Sequence, residues 1–176
     1  SVDFVTIPNL RLDLKKQNTL GTALSGAKVK IKAVQDGKEI LPETEITLPQ
    51  TSYSITPKSK NDITVTIKET KVPEGHIGII NQIIIKYTFN GTEWVMTSVQ
   101  NGKGTEWTLK NGKYVINNDT IKLSTTGRTI TIYNRPKVDF TLIKLDKIDN
   151  SAIKNILFNI KIQNAKSGPN NIIADD

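Results

Sequence analysis

The sequence predicts an all-β protein with one complete domain and the opening strands of a second. Ile, Thr and Val make up 56 of the 176 residues, whereas Ala contributes only 6. β-Branched side chains fit a pleated sheet and lose rotamer freedom in a helix. Apolar residues alternate with polar ones in several segments, and Asn-Gly pairs separate some of these segments. Both patterns are typical of antiparallel β structure.

The first group of predicted strands is defined by apolar residues at every second position. In three of these strands, the next position on the apolar face is polar. The alternating sets are Leu10, Leu12 and Leu14 followed by Lys16; Val29, Ile31 and Ala33; Ile63, Val65 and Ile67 followed by Glu69; and Ile130 and Ile132 followed by Asn134.

Asn-Gly pairs predict hairpins, because both central residues of a type I′ turn need positive φ. Asn90-Gly91 separates residues 83–89 from residues 92–99, and this region is predicted to be one long hairpin. Gly102 and Gly104 mark the next turn, and Asn111-Gly112 marks a third hairpin. A strand near residues 120–123 and a last strand over residues 128–134 follow, with Pro136 ending the last one.

The beginning of the chain is repeated near its end. Val138, Phe140, Leu142 and Lys144 reproduce the pattern of the first strand at an offset of 128 residues. The sequence therefore predicts a leading segment at 1–8, a complete domain at 9–136 and the N-terminal part of a second domain of the same type at 137–176. The second copy is too short to close a sandwich, so the chain is expected to belong to a tandem array.

Composition excludes several classes of function. The chain has no Cys and one histidine, His76, so it has no disulfide, zinc-thiolate site or Cys nucleophile, and a His-based metal cluster is not expected. Its net charge of +7 comes from 21 Lys and only 3 Arg, scattered along the chain. Nucleic-acid surfaces usually cluster their basic residues and use Arg. We therefore expect no cofactor, no metal and no nucleic-acid partner, and no apolar run approaches the ~20 residues of a membrane span.

The polar residues that end three apolar faces suggest a chemical reaction. Lys16, Glu69 and Asn134 would each point toward the core, where burial favours the neutral form of an acid or an amine. A neutral Lys amine is a nucleophile, and a protonated Glu can polarise an Asn carboxamide. The product would be an amide between Lys16 and Asn134, with ammonia released. Taken singly, a Lys or Glu at a strand end is normally solvated and an Asn before Arg-Pro is normally a turn residue, and Lys15 competes with Lys16.

The order of these motifs resembles the collagen-adhesin B-type domains, also called CnaB-like or SpaA-type, of Gram-positive pilins and surface adhesins. Residues 69–76 read E-T-K-V-P-E-G-H, similar to the family signature E-T-x-x-P-x-G-Y. The first hairpin and the final strand, I-T-I-Y-N, resemble those that supply the family's reactive Lys and Asn. Asn18 and His76 depart from the usual Asp and Tyr.

The resemblance implies an Ig-like, CnaB-type β-sandwich with Lys16 as the amine, Asn134 as the acceptor and Glu69 as the catalytic acid. Lys144 is the matching amine of the second copy. The implied protein is a structural stalk or adhesin module, extracellular on the cell wall, and no enzyme beyond one self-directed reaction. Its implied partners are neighbouring tandem domains of the parent protein, with a host extracellular-matrix protein or glycan as further candidates.

Two alternatives remain open at this stage. Trp94 and Trp107 could form a platform for a glycan in a module without a cross-link, although such Trp residues more often lie in a core. An unrelated β protein could instead carry an ester cross-link from a Thr. Two LPxT sequences, at residues 41–44 and 48–51, lack the context of a sorting signal and are interpreted as Pro-marked loops around short strands.

Overall fold

A computed structural model describes residues 6–138 with their side chains, together with the backbone of residues 159–163 and 171–175. The chain divides into two compact units, Ser1–Pro136 and Lys137–Asp176. None of the described residues is helical, and this part of the chain has no helix that could cross a membrane.

The described strands are short, and all but two belong to the first unit. In chain order they are β1 (Leu10–Asn18), β2 (Lys28–Gln35), β3 (Lys38–Thr47), β4 (Gln50–Ile55), β5 (Ile63–Lys71), β6 (His76–Ile77), β7 (Ile83–Phe89), β8 (Trp94–Gln100), β9 (Thr108–Lys110), β10 (Lys113–Ile116), β11 (Asp119–Leu123), β12 (Thr129–Pro136), β13 (Asn159–Gln163) and β14 (Asn171–Asp175).

The first unit is a sandwich of two sheets, as the sequence predicts. One sheet has seven strands in the order β4-β1-β12-β11-β10-β9, with β6 paired to the end of β12. The other has five strands in the order β3-β2-β5-β7-β8. The inward faces of both sheets form one apolar core, to which β1 gives Leu10, Leu12 and Leu14 and β5 gives Ile63, Val65 and Ile67. The alternation of the sequence therefore marks which face of each strand is buried.

The first and last strands of this unit lie side by side. β1 and β12 pair in parallel, with Leu14 opposite Ile130, Lys16 opposite Ile132 and Asn18 opposite Asn134. Residues two apart on a strand share a face, so Lys16 and Asn134 lie on the same inward face as Leu14 and Ile130. Both strands reach this end of the sandwich with a polar residue where the apolar alternation stops.

The predicted hairpins are present. β7 pairs with β8 around residues 90–93, and β9 pairs with β10 around Asn111-Gly112, where both residues have positive φ (51° and 77°) as a type I′ turn requires. The Asn90-Gly91 turn differs from this type. Only Gly91 has positive φ, and the Asn90 side chain accepts hydrogen bonds from the backbone N–H groups of Thr92 and Glu93. A side-chain acceptor thus closes a longer loop there.

Within the first unit, β3, β4 and the two-residue β6 were not predicted as strands, and β12 is longer than predicted. β3 and β4 contain or border both LPxT sequences, and Pro42 lies inside β3. Each is an edge strand of its sheet, which is where a residue without an N–H is tolerated. β12 continues to Pro136 because β6 pairs with its end, joining Arg135 to Ile77 and Pro136 to His76.

The second unit is described only in part. β13 and β14 pair antiparallel, from Asn159 opposite Asp175 to Gln163 opposite Asn171. Most residues of the repeated segment, Lys144 among them, lie outside the described residues. That this unit begins a second domain of the same type stays a prediction.

Both tryptophans lie in the core. Trp94 is 1% exposed and Trp107 is 3% exposed. Each indole N–H donates to a backbone carbonyl, that of Pro8 for Trp94 (2.9 Å) and that of Gln82 for Trp107 (3.1 Å). Phe89 packs against Trp94 with ring centroids 5.3 Å apart. Neither indole offers a face to a ligand in solution, and this burial favours the core interpretation.

Trp94→Ala should therefore destabilise the domain by about 3–5 kcal/mol, the usual cost of deleting a large aromatic side chain from a core. Urea unfolding followed by circular dichroism measures this change. Leu109→Ala is the control, because Leu109 is 61% exposed and its loss should cost less than about 0.5 kcal/mol. Equal effects of the two substitutions would contradict the core placement.

Candidate functional site

The site is centred on a buried lysine. Lys16 continues the inward face of β1 and is only 2% exposed, whereas Lys15 points outward and is exposed. The phase of the strand directs only one of the two candidate amines inward, because adjacent residues lie on opposite faces. Lys16 is the amine that faces the core.

Glu69 reaches this lysine from the opposite sheet. It follows Ile63, Val65 and Ile67 on the inward face of β5, and its side chain is 1% exposed. Glu69 Oε2 pairs with Lys16 Nζ in a hydrogen-bonded ion pair that is buried on both sides. A buried ion pair needs such direct contact, since either charge alone would be costly in this environment.

Asn134 contacts the other oxygen of the same carboxylate. The residue is fully buried, and its Nδ2 donates to Glu69 Oε1 at 3.0 Å. Among the described residues no group donates a hydrogen bond to Asn134 Oδ1, although this oxygen is buried. An unsatisfied buried acceptor is uncommon in folded proteins and costs roughly 1–3 kcal/mol.

The three predicted residues therefore meet in one buried cluster. One carboxylate contacts the amine through Oε2 and the carboxamide through Oε1. Lys16 and Asn134 are diagonal neighbours on paired strands, since Lys16 is opposite Ile132, two residues before Asn134. Diagonal neighbours on one face of a sheet are within reach of long side chains. The arrangement brings a nucleophile, an acyl group and a proton donor or acceptor together.

Burial makes the lysine a better nucleophile. Loss of solvation lowers the pKa of Lys16 from 10.5 to about 8, although the charge and hydrogen bond of Glu69 and the charge of Asp119 oppose this change. A pKa near 8 leaves a useful fraction of the side chain as free amine at neutral pH. Burial thus gives Lys16 a fraction of unprotonated amine at neutral pH that an exposed lysine, with its higher pKa, does not have.

Asn18 and His76 contact each other beside the site. Asn18 Oδ1 accepts from the backbone N–H groups of Leu20 and Thr22, which leaves Nδ2 directed at His76 Nε2, 3.4 Å away. His76 Nδ1 lies 2.8 Å from the carbonyl oxygen of Glu74. The tautomer that carries its proton on Nδ1 donates to Glu74 and accepts from Asn18, and so satisfies both contacts. The pair joins the end of β1 to β6.

Asp119 is a buried residue of this region that the sequence analysis did not select. It is 4% exposed and begins β11, in phase with the buried Ile121 and Leu123. The same alternation that identified Lys16 and Glu69 could have identified it. The pattern was missed because Asn117, Asn118 and Asp119 together have the composition of a turn. Among the described residues, no group of His, Asp and Glu side chains could hold a metal ion.

Comparison with known proteins finds similar solved structures. The C-terminal fragment of the pilus adhesin SpaC from Lactobacillus rhamnosus GG is 26% identical over 77% of this chain, with a TM-score of 0.50. The open conformation of the SpaC adhesin gives the same identity, coverage of this chain and TM-score. The all-β sandwich therefore resembles a domain of a pilus adhesin.

This chain spans only part of either structure. The match covers 48% of the SpaC fragment and 15% of the SpaC adhesin chain. No protein-family model and no curated protein sequence matches the chain.

The lowered pKa of Lys16 predicts a specific dependence of stability on pH. In an Asn134→Ala chain, in which Lys16 has no carboxamide beside it, the unfolded state holds its Lys16 proton up to about pH 10.5 and the folded state releases it near pH 8. The unfolded state then binds more protons between these values, so the free energy of unfolding should rise with pH across this window. The gain is roughly 3 kcal/mol, at about 1.4 kcal/mol for each pKa unit.

Urea unfolding of Asn134→Ala from pH 7 to pH 10.5 measures this effect. Adding Lys16→Met should remove the rise, whereas adding Lys15→Met at the exposed neighbour should leave it in place. A rise that survives Lys16→Met would belong to other groups and would contradict the assignment.

Proposed function

We propose that this domain is a structural module of a Gram-positive surface adhesin, stabilised by an amide bond that it forms between Lys16 and Asn134. The contact of one buried carboxylate with both of these side chains supports the reaction most directly. The likeness to a pilus adhesin supports the adhesin role and a location at the cell surface. Neighbouring domains of the parent protein are the partners that this proposal implies.

The first step is a proton transfer inside the ion pair. Moving a proton from Lys16 Nζ to Glu69 gives a neutral amine and a neutral acid, with no change in the net charge of the site. A low-dielectric interior favours this neutral form over the charged one. The burial of both side chains therefore prepares the nucleophile and the acid together.

The acid then activates the carboxamide. Asn134 Oδ1 has no donor among the described residues, so a half-turn of the amide group would bring it to the protonated Glu69 in place of Nδ2. A neutral acid that donates to this oxygen polarises the C=O bond and stabilises the charge that develops on it. Asn134 Oδ1, which has no donor in the described structure, thus accepts a hydrogen bond from Glu69 in the reactive state.

The bond changes balance without any other reactant. Lys16 Nζ attacks Asn134 Cγ and forms the Nζ–Cγ bond, and the Cγ–Nδ2 bond breaks. A second proton leaves Nζ, passes through the Glu69 carboxyl group and reaches Nδ2, which departs as ammonia. Glu69 is then the neutral acid formed in the first step, and it becomes a carboxylate again when it gives that proton to the departing ammonia, which leaves as ammonium. The protein thus catalyses a single turnover on itself.

The mass of the intact chain tests this proposal. The wild-type chain should weigh one ammonia less than its sequence mass, and Lys16→Ala, Glu69→Gln and Asn134→Ala should each restore the full mass. Lys15→Ala is the matched control and should still lose ammonia. Asn134→Asp should lose water in its place, because the leaving group changes with the residue. A wild-type chain of full sequence mass overturns the proposal.

A second measurement excludes a different origin of the lost ammonia. A succinimide at the exposed Asn111-Gly112 turn would cause the same loss of mass. A succinimide hydrolyses in mild alkali, whereas an amide survives. Proteolysis followed by tandem mass spectrometry should give one branched peptide that joins the segments containing residues 16 and 134.

The bond should also raise stability, since it closes a loop of more than 100 residues. Chain-entropy arithmetic for a cross-link of this span gives about 4–5 kcal/mol. Asn134→Ala should therefore lower the melting temperature by roughly 10–20 °C. Glu69→Gln should give a similar decrease, although it leaves both reacting side chains in place. Unchanged melting in both variants would show that the link contributes nothing to stability.

A further inference from the structure

A short segment of backbone presses on the Glu69 carboxylate. Residues 78–81, called the strap from here on, lie between β6 and β7. The backbone N–H of Ile79 donates to Glu69 Oε1 at 2.9 Å. A Cβ atom on Gly78 would lie 2.5 Å from Glu69 Oε1 and 2.4 Å from Val72 Cγ2, distances that real Cβ contacts do not show. Glycine at position 78 therefore permits the strap to approach the acid.

Asp119 anchors the other end of the strap. Its Oδ2 accepts three hydrogen bonds, each 2.8 Å long, from the backbone N–H groups of Ile80 and Asn81 and from Asn81 Nδ2. Asn81 Oδ1 also accepts from Asn101 Nδ2 at 2.9 Å. A buried carboxylate with three donors holds this backbone firmly, because charge-assisted hydrogen bonds are the stronger class.

The strap connects the two sheets at the cluster. Glu69 belongs to the five-stranded sheet, whereas Lys16, Asn134 and Asp119 belong to the seven-stranded one. Asp119 lies beside Asn134 in the ladder, since Thr120 is paired with Tyr133. The strap therefore fixes the Glu69 carboxylate relative to the strand that carries the carboxamide.

We propose that Asp119 is a positioning residue for the cross-linking reaction, which it serves by holding the strap against Glu69. This inference rests on the proposed function. With the strap in place, the Ile79 N–H donates to one lone pair of Glu69 Oε1. The other lone pair of this oxygen then faces Asn134. Among the described residues, Asp119 hydrogen-bonds to Ile80 and Asn81 and to neither reacting side chain.

Asp119 also has an electrostatic effect on the amine. Its negative charge raises the pKa of Lys16, as the charge of Glu69 does, against the larger lowering caused by burial. These two carboxylates are the charged groups that face Lys16 from β5 and β11. Removing the Asp119 charge should therefore lower the pKa of Lys16 and shift the reaction toward lower pH, an effect that a purely structural residue would not produce.

The rate of cross-linking in newly made chains tests the strap. Full-length chains are synthesised in a short cell-free pulse and quenched in acidic denaturant at intervals, and the branched peptide is then quantified by mass spectrometry. Asp119→Ala and Gly78→Ala should react about a hundredfold more slowly, the order of loss that a ~1 Å misplacement causes. Circular dichroism establishes that the chains compared are folded.

Two further variants keep the test decisive. Gly102→Ala is the matched control, because its added Cβ would also crowd a side-chain oxygen, that of Gln82 at 2.7 Å, without touching Glu69. It should react at the wild-type rate. Asp119→Asn keeps an oxygen acceptor for the strap and loses the charge, so it should react faster than Asp119→Ala and with a pH profile displaced to lower pH.

The outcomes separate the two proposals. A wild-type chain that never loses ammonia overturns the proposed function. In a second case, the wild-type chain cross-links while folded Asp119→Ala and Gly78→Ala chains react within twofold of its rate. That result overturns the proposed role of the strap and leaves the proposed function in place. If Asp119→Ala does not fold, an Asp119→Asn chain with the wild-type rate and pH profile overturns the role of Asp119.

Discussion

The contact between Lys16 and Glu69 organises one end of the sandwich. Each side chain is almost completely buried, and each would be costly in the core without the other. The pair also spans the two sheets, since Lys16 lies on β1 and Glu69 on β5. Asn134 and the backbone near Gly78 both approach the Glu69 carboxylate of this pair, and the burial of the pair lowers the pKa of Lys16 although the contact itself opposes that change. A polar interaction in such a position adds little stability by itself, but it defines a site at which chemistry is possible.

Much of this site could be predicted from local patterns. Lys16, Glu69 and Asn134 each occupy the next inward position after an apolar alternation, and the strict period of two separated Lys16 from Lys15. The parallel pairing of β1 with β12 could not be read in the same way, because strand order depends on contacts between distant residues. The edge strands β3 and β4 were missed since their largely exposed sequences lack a clear apolar face, and a proline lies inside β3 and directly before β4. Asp119 was missed because it lies where a turn ends and a strand begins.

The likeness to a pilus adhesin and the geometry of the site are independent observations. The former concerns the path of the backbone over 77% of this chain, at an identity of 26%. The latter concerns three side chains that meet across two sheets. The contact of Asn18 with His76 adds a third link at this end of the sandwich, because it joins the end of β1 to β6.

The parallel arrangement of β1 and β12 has a mechanical consequence. The chain enters the domain at the Leu10 end of β1 and leaves at the Pro136 end of β12, so tension applied to the two ends slides the strands along each other. Sliding loads all the backbone hydrogen bonds between β1 and β12 at once, whereas peeling would break them one after another. With a covalent link between residues 16 and 134, the pulling force would pass directly from one strand to its neighbour. The strands between β1 and β12 in the chain would then carry no force, and the module would transmit load without lengthening.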